Sequence, residues 1–320
     1  MGEATRPAPP GPPGRLPIDF EGELPDFVQD EADEEPANND DDDDHHEQED
    51  EEYVLPDINN ANRWILGHRG NSWDYPQNTL QAFQSCVDLG CDCNEMDLRR
   101  TKDGVLVVFH DASVDSVTNG KGKVNTYTFA ELQKLDAGYR FTRDGGKTYP
   151  FRGKGYKIPS LAQVFSKIKK GYFNMDMKDD DSRVPQELYN LIRSHGVANR
   201  SIVGSFIDRN TEAFRKIAPS IQSLATAKEA TAFAAAFHKG DNAAACRAVS
   251  ASNWQDLPTH LTKNWPAYIK LSHQCKNKVA FWTINDTATM EKLLKDGADG
   301  IITDKVAEAA RLFRRLGYKK

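Results

Sequence analysis

From Arg63 onward the chain alternates short β-branched or apolar runs with helical stretches, and nothing else restricts its fold as much. Strands are expected at 64–67 (WILG), 91–98 (CDCNEMDL), 172–178 (YFNMDMK), 201–206 (SIVGSF), 222–227 (QSLATA), 246–251 (CRAVSA), 278–284 (KVAFWTI) and 300–303 (GIIT). Helical stretches follow them, and Gly90, Gly196, Gly240 and Gly297 close four of these as C-terminal caps do. Eight strand–helix units across residues 63–320 have the size and rhythm of an α/β protein, a (β/α)8 TIM barrel. An open doubly wound sheet would carry fewer units and a Gly-rich phosphate loop, and the chain has neither GxGxxG nor a Walker sequence. Residues 111–157, rich in Gly, Thr, Lys and Tyr, are too long for an ordinary strand–helix loop. They read as a small insertion over the barrel mouth, after the second strand.

Residues 1–62 cannot help build that core. They open with APPGPPGRLP, which favours extended backbone, and continue into DEADEEPANNDDDDDHHEQEDEE, a like-charge run that repels itself. This segment is expected to be a disordered Pro-rich, acidic tail. It holds 21 Asp and Glu against 2 Arg, so the remainder carries 48 − 21 = 27 acids and 41 − 2 = 39 bases. A basic folded part attracts phosphate, whether in small phosphoesters or at an anionic membrane surface. Nucleic acid is excluded as a partner because no Lys/Arg cluster interleaves with aromatics. No apolar run approaches a bilayer span, and the first twenty residues lack the core of a signal peptide. Five irregularly spaced cysteines (Cys86, Cys91, Cys93, Cys246, Cys275) match no disulfide framework and no zinc pattern. These features together lead to the expectation of a soluble cytoplasmic protein.

The chemistry collects at the ends of the predicted strands. The stretch HRGNSWDYPQNTL follows the apolar run WIL, placing His68 and Arg69 where a buried strand stops. In CDCNEMDL, period-two alternation puts Glu95 and Asp97 on one face near the strand's C-terminal end, where barrel enzymes keep their active sites. The same spacing pairs Asp176 with Lys178 in NMDMK. Three acids with neither thiolates nor HxxxH point to one hard divalent ion, Mg²⁺ or Ca²⁺. A further apolar run, VLVVF, delivers His110, and two imidazoles can divide acid and base roles near neutral pH.

Taken together, GHRG, PQNTL, NEMD, TKDGVLVVFHD, KIPSL, NMDMK, GSF, WTIND and GADGIITDK resemble the glycerophosphodiester phosphodiesterase family over residues 64–316. The resemblance implies a TIM barrel with one divalent metal that hydrolyses glycerophosphodiesters to glycerol 3-phosphate and an alcohol. It implies His68 and His110 as the acid/base pair, and Glu95, Asp97 and Asp176 as metal ligands. Arg69 and Lys178 would then hold phosphate, and Trp282 would line the pocket. Ser205 and Phe206 fall on the family's SF pair and are expected to pack. The chain departs from the family at Gln77, where the motif has Glu, and at Asp176, where Glu is usual. It departs again at Ser116, in a loop that often carries Arg, and at Asn94, beside the first ligand. Two other functions use the same barrel. One is lysophospholipase D action on lyso-lipids, with peripheral contact to anionic membrane. The other is a barrel without turnover that serves as an acidic-tailed binding protein.

Overall fold

The computed structural model describes residues 63–319, so the acidic tail expected over residues 1–62 lies outside the described residues. Nine strands occur in chain order: β1 (Trp64–Gly67), β2 (Cys93–Arg100), β3 (Leu106–Val108), β4 (Tyr172–Met177), β5 (Ser201–Gly204), β6 (Gln222–Ser223), β7 (Trp254–Leu257), β8 (Lys278–Phe281) and β9 (Gly300–Thr303). The helices are α1 (Leu80–Asp88), α2 (Phe129–Leu132), α3 (Leu161–Lys167), α4 (Val184–Ser194), α5 (Asp208–Ile217), α6 (Ala227–Lys239), α7 (Asn242–Ala248), α8 (Trp265–Gln274), α9 (Thr287–Lys295) and α10 (Val306–Arg315). Eight strands pair in parallel in the order β6-β5-β4-β2-β1-β9-β8-β7. A parallel bridge between Leu224 and Trp254 joins the two ends, supported by the Ala225 amide donating to the Trp254 carbonyl at 2.7 Å. The sheet thus closes into the expected (β/α)8 barrel.

Alternation along these strands stacks the interior in layers. Leu66, Cys93, Tyr172, Ile202, Trp254, Ala280 and Ile302 are buried together as one apolar layer, with Trp64 against Tyr172 and Trp254 at ring distances of 4.7 and 5.2 Å. Two residues further along the same strands come His68, Glu95, Asn174, Asp256, Trp282 and Asp304. The change from apolar to polar within one step of the pleat makes the lower layer a dry floor for a charged upper one. Such a floor strengthens every electrostatic interaction above it.

From Leu106 to Phe109 the VLVVF run is buried as expected, but Leu106–Val108 runs antiparallel beside β2 and lies outside the barrel count. The insertion follows it and packs its own small core of Val107, Phe109, Val114, Val124, Leu132, Ala137, Tyr156 and Ile158. One expected strand fails. The strand expected at 246–251 is the end of α7 and a turn, and β7 lies eight residues later at Trp254–Leu257. Asp241 caps α7 by accepting from the Ala244 amide, and the Ala-rich NAAACRA run follows helix propensity. WQDL becomes a strand by pairing along its length with β8 and, at Trp254, with Leu224.

The cysteine reading also needs correction. Cys86 is disulfide-bonded to Cys91, and Cys246 to Cys275, leaving Cys93 as a buried thiol. The odd count hid two pairs. Cys86 and Cys91 meet because α1 ends between them, and Cys246 meets Cys275 because α7 and α8 pack together.

Candidate active site

The turn at His68–Gly70 is shaped by what lies beneath it. A Cβ on Gly67 would sit 2.4 Å from the Cys86 sulfur, and one on Gly70 would sit 2.7 Å from the Ala82 backbone, so the turn is wedged against α1. Gly70 adopts φ +80°, and Arg69 between them adopts φ 58°, a left-handed conformation that costs any residue with a Cβ. The Arg69 amide donates to Glu95 Oε2 at 2.9 Å and its Nη1 donates to Gln77 Oε1 at 2.5 Å. Gln77, the departure from the family's Glu, therefore still anchors the arginine. Arg69 Nε lies 3.3 Å from Asp97 Oδ2 in an ion pair, yet it is buried without a well-aligned acceptor.

Both histidines stand on a carboxylate. His68 Nδ1 donates to Asp304 Oδ1 at 2.7 Å, and Asp304 is fixed in turn by Ser72 Oγ at 2.9 Å and Asn285 Nδ2 at 2.6 Å. Burial opposes protonation of His68, but the Asp304 hydrogen bond and the Glu95 charge outweigh it and hold its pKa above the ordinary value. His110 Nδ1 donates to Asp111 Oδ1 at 2.6 Å, and Ser116 Oγ donates to the other oxygen of that carboxylate. Ser116 thus orients the support of a histidine. Each bond through Nδ1 leaves Nε2 as the ring position for exchange with a ligand.

The acids come together with the basic residues between them. Lys178 Nζ reaches Asp176 Oδ2 at 2.5 Å and Asp97 Oδ1 at 3.0 Å. Burial and then the Asp97 charge push Glu95 up to about 7. Burial would raise Asp97 too, but Lys178, Arg69 and the Asn78 hydrogen bond hold it below the ordinary carboxylate value. Burial leaves Asp176 above its ordinary value in spite of Lys178. Among the described residues no three His, Cys, Asp or Glu side chains gather as a metal cluster, because Arg69 and Lys178 stand between Glu95, Asp97 and Asp176. The donors nonetheless fit a hard divalent ion. Asp176 Oδ1 is a buried oxygen with no partner, and three carboxylates against two cations leave one negative charge over. A divalent ion and a phosphodiester monoanion together would bring that sum to zero.

This geometry separates two substitutions that look alike on paper. Asp97 is buried between two cations and accepts from Asn78 at 2.9 Å, so Asp97→Asn strips Arg69 of its ion pair, leaves Lys178 with Asp176 alone and should cost about 3–5 kcal/mol. A carboxylate with a depressed pKa stabilises the fold above its unfolded value and loses that contribution as pH falls through the folded one. The penalty of Asp97→Asn should therefore be full at pH 7 and vanish in acid. Glu95 behaves oppositely: its raised pKa makes ionisation unfavourable to folding, a cost that grows as pH rises from its unfolded value through about 7. In metal-free buffer Glu95→Gln should match the parent near pH 4 and exceed it at pH 8. Urea denaturation with EDTA present, run at three pH values, checks both. Equal losses in the two variants at pH 7 would refute the assigned charge states.

Trp282 is half-buried above the apolar layer, edge-on to Phe206 at 5.8 Å. Ser205 packs as expected, donating to the Met177 carbonyl at 2.6 Å. Phe206 does not: it is 64 % exposed, with Lys178 Nζ 5.3 Å from its ring. The two rings make an apolar wall beside the charged cradle. Asn94 is buried against α1, its Nδ2 donating to the Phe83 carbonyl at 3.4 Å. Sequence reasoning missed Asp304, Asn285 and Asp256. Asp256 on β7 accepts from Asn174 at 2.7 Å, has a second oxygen without a partner, and is pushed by burial up to about 7. Asp304 ends an apolar strand as His68 does, so the same strand-end rule would have found it.

Residues 68–308 match the glycerophosphoryl diester phosphodiesterase family. A glycerophosphodiester phosphodiesterase of Caldanaerobacter subterraneus is 31% identical over 271 residues, covering 79% of this chain and 98% of that protein. Among solved structures, an Oleispira antarctica phosphodiesterase in complex with the product sn-glycerol-3-phosphate aligns with TM-score 0.66 at 20% identity, covering 79% of this chain and 97% of that one. The glycerophosphoryl diester phosphodiesterase domain of a Mycobacterium tuberculosis protein aligns with TM-score 0.68, also at 20% identity, over 78% of this chain and 98% of that domain. The match begins at the histidine of the wedged turn and runs past the aspartate that supports it, so the chain belongs to the glycerophosphoryl diester phosphodiesterase family.

Proposed function

We propose that this chain hydrolyses glycerophosphodiesters, such as glycerophosphocholine, -ethanolamine or -inositol, to glycerol 3-phosphate and an alcohol. The observation that carries this reading is the pair of carboxylate-backed histidines, His68–Asp304 and His110–Asp111, set around a basic cradle. Each imidazole holds one proton at Nδ1 against its carboxylate and exchanges another at Nε2. Arg69 and Lys178 offer donors to the phosphoryl oxygens, Arg69 with a buried Nε still to be satisfied. Family members generally use a divalent metal. Glu95, Asp97 and Asp176 would hold it here, as Mg²⁺ or Ca²⁺, and when bound it supplies neutralisation of phosphoryl charge. Trp282 and Phe206 would shield the reacting group from water on one side.

A second reading, lysophospholipase D action on lyso-lipids, is favoured by the exposed Phe206 beside Trp282, which suits a substrate with an apolar portion. The intact histidine pairs count against a barrel without turnover. Among the described residues no helix is long and apolar enough to cross a membrane. The two disulfides favour an oxidising compartment, which counts against a cytoplasmic placement. One assay tests the proposal: glycerol 3-phosphate release from glycerophosphocholine, beside choline release from lyso-phosphatidylcholine, with Mg²⁺, with Ca²⁺ and with EDTA. Turnover of the first substrate that EDTA abolishes and one of the ions restores is the expected result. Product from neither substrate under any condition would overturn the reading.

A further inference from the structure

Within the insertion, residues 138–157 carry Arg140, Arg143, Lys147, Arg152, Lys154 and Lys157 against a single acid, Asp144. All six basic residues are exposed. Asp144 neutralises none of them through a side-chain ion pair. Its carboxylate is taken up by the Lys147 and Thr148 amides and the Thr142 and Thr148 hydroxyls. Only Arg143 meets a carboxylate among the described residues, Asp74 at 2.9 Å. Half-buried rings interleave with these cations, which corrects the expectation that no Lys/Arg cluster does so. Arg152 lies between the rings of Tyr139 and Tyr149, at 4.1 and 3.9 Å from their centroids, and Phe141 and Tyr156 pack edge-on against Phe151.

This surface adjoins the catalytic mouth. Tyr75, in the loop between His68 and α1, stacks on Phe151 at 5.8 Å. Arg143 lies over Trp73 of the same loop, and the Trp73 amide donates to the Asp304 carbonyl at 3.1 Å. We propose that residues 138–157 form a docking surface for an anionic lipid bilayer, which turns the catalytic mouth toward the membrane. Clustered Lys and Arg meet the negative surface potential, while the half-buried Tyr139 and Tyr149 beside them suit the headgroup layer. Single-stranded nucleic acid fits less well, because base stacking needs free ring faces and Arg152 already covers Tyr139 and Tyr149. The whole chain is net negative at −7 and is repelled at long range. At about 0.1 M salt, screening over about 10 Å leaves the local surface to decide.

The test uses the full chain with sedimented vesicles, phosphatidylcholine alone or mixed with phosphatidylserine at about seven to three, in about 0.1 M salt. Binding is expected to the mixed vesicles only. Lys147, Lys154 and Lys157 are exposed and take no part in the candidate site, so K147A/K154A/K157A should fold and keep its activity on soluble glycerophosphocholine. That variant should bind the mixed vesicles about a hundredfold more weakly, about fivefold for each lysine. Three results would each overturn the proposal: no binding by the parent chain, equal binding by the triple variant, or capture by a soluble polyanion such as heparin without capture by vesicles. Vesicle binding is read without turnover, so the lipid surface and the phosphodiesterase reading fail separately.

Discussion

A phosphodiester whose glycerol lacks only its 2-hydroxyl should bind to this protein yet turn over about 10⁵-fold more slowly than the parent, or worse. We propose that this hydroxyl attacks phosphorus, forming a cyclic phosphate as the alcohol leaves, and that water then opens the ring. A nucleophile tethered to its own target removes up to roughly 7–11 kcal/mol of barrier that a separate water must meet. Binding should survive, because the cations proposed to hold the substrate, Arg69 and Lys178, would address the phosphate and not the missing oxygen. The comparison needs only a 3-hydroxypropyl phosphodiester and the matching glycerol diester, assayed for kcat and KM. Similar kcat values would mean that water attacks directly, which removes the cyclic intermediate and leaves a metal phosphodiesterase.

His68→Ala and His110→Ala should each lower kcat on glycerophosphocholine by about 10²- to 10⁴-fold, the usual loss of a positioned acid or base. KM should change much less, since neither side chain belongs to the Arg69–Lys178 cradle. The two variants should differ under rescue. His110 and its Asp111 are the more exposed pair, with side chains 34% and 38% accessible against 20% and 28% for His68 and Asp304. Added imidazole should therefore restore more activity to His110→Ala than to His68→Ala. The His68→Ala fold should hold, because Asp304 keeps its bonds from Ser72 and Asn285. A kcat within tenfold of the parent in either variant would remove that histidine from the chemistry.

Much of this molecule was legible along the chain because its logic is local. Period-two and 3.6 periodicities report which face is buried, so seven of the eight barrel strands could be located, and Glu95 could be placed beside Asp97 on one pleat. Strand ends face one mouth in a parallel barrel, so His68 and Asp176 could be assigned to a common site without knowing any distance. Glycine caps are equally local: Gly90, Gly196, Gly240 and Gly297 all adopt positive φ where the helices were expected to stop.

Long-range partnerships were decided only by closure of the fold. Asp304 reaches His68 from 236 residues away, because β9 pairs with β1. Lys178 was expected to serve phosphate, yet whether it also bridges Asp97 and Asp176 depends on the β2–β4 register. β7 exists because β8 offers it a parallel edge, while the helix-prone run before it carried the stronger local signal. Phe206 had the pattern of a packed residue and stands exposed because β5 ends two residues before it. The disulfides escaped for the same reason, since sulfur pairing depends on which helix ends meet. Backbone periodicity belongs to neighbours in sequence and can be read there, whereas charge pairing, cysteine pairing and exposure at the mouth belong to neighbours in space.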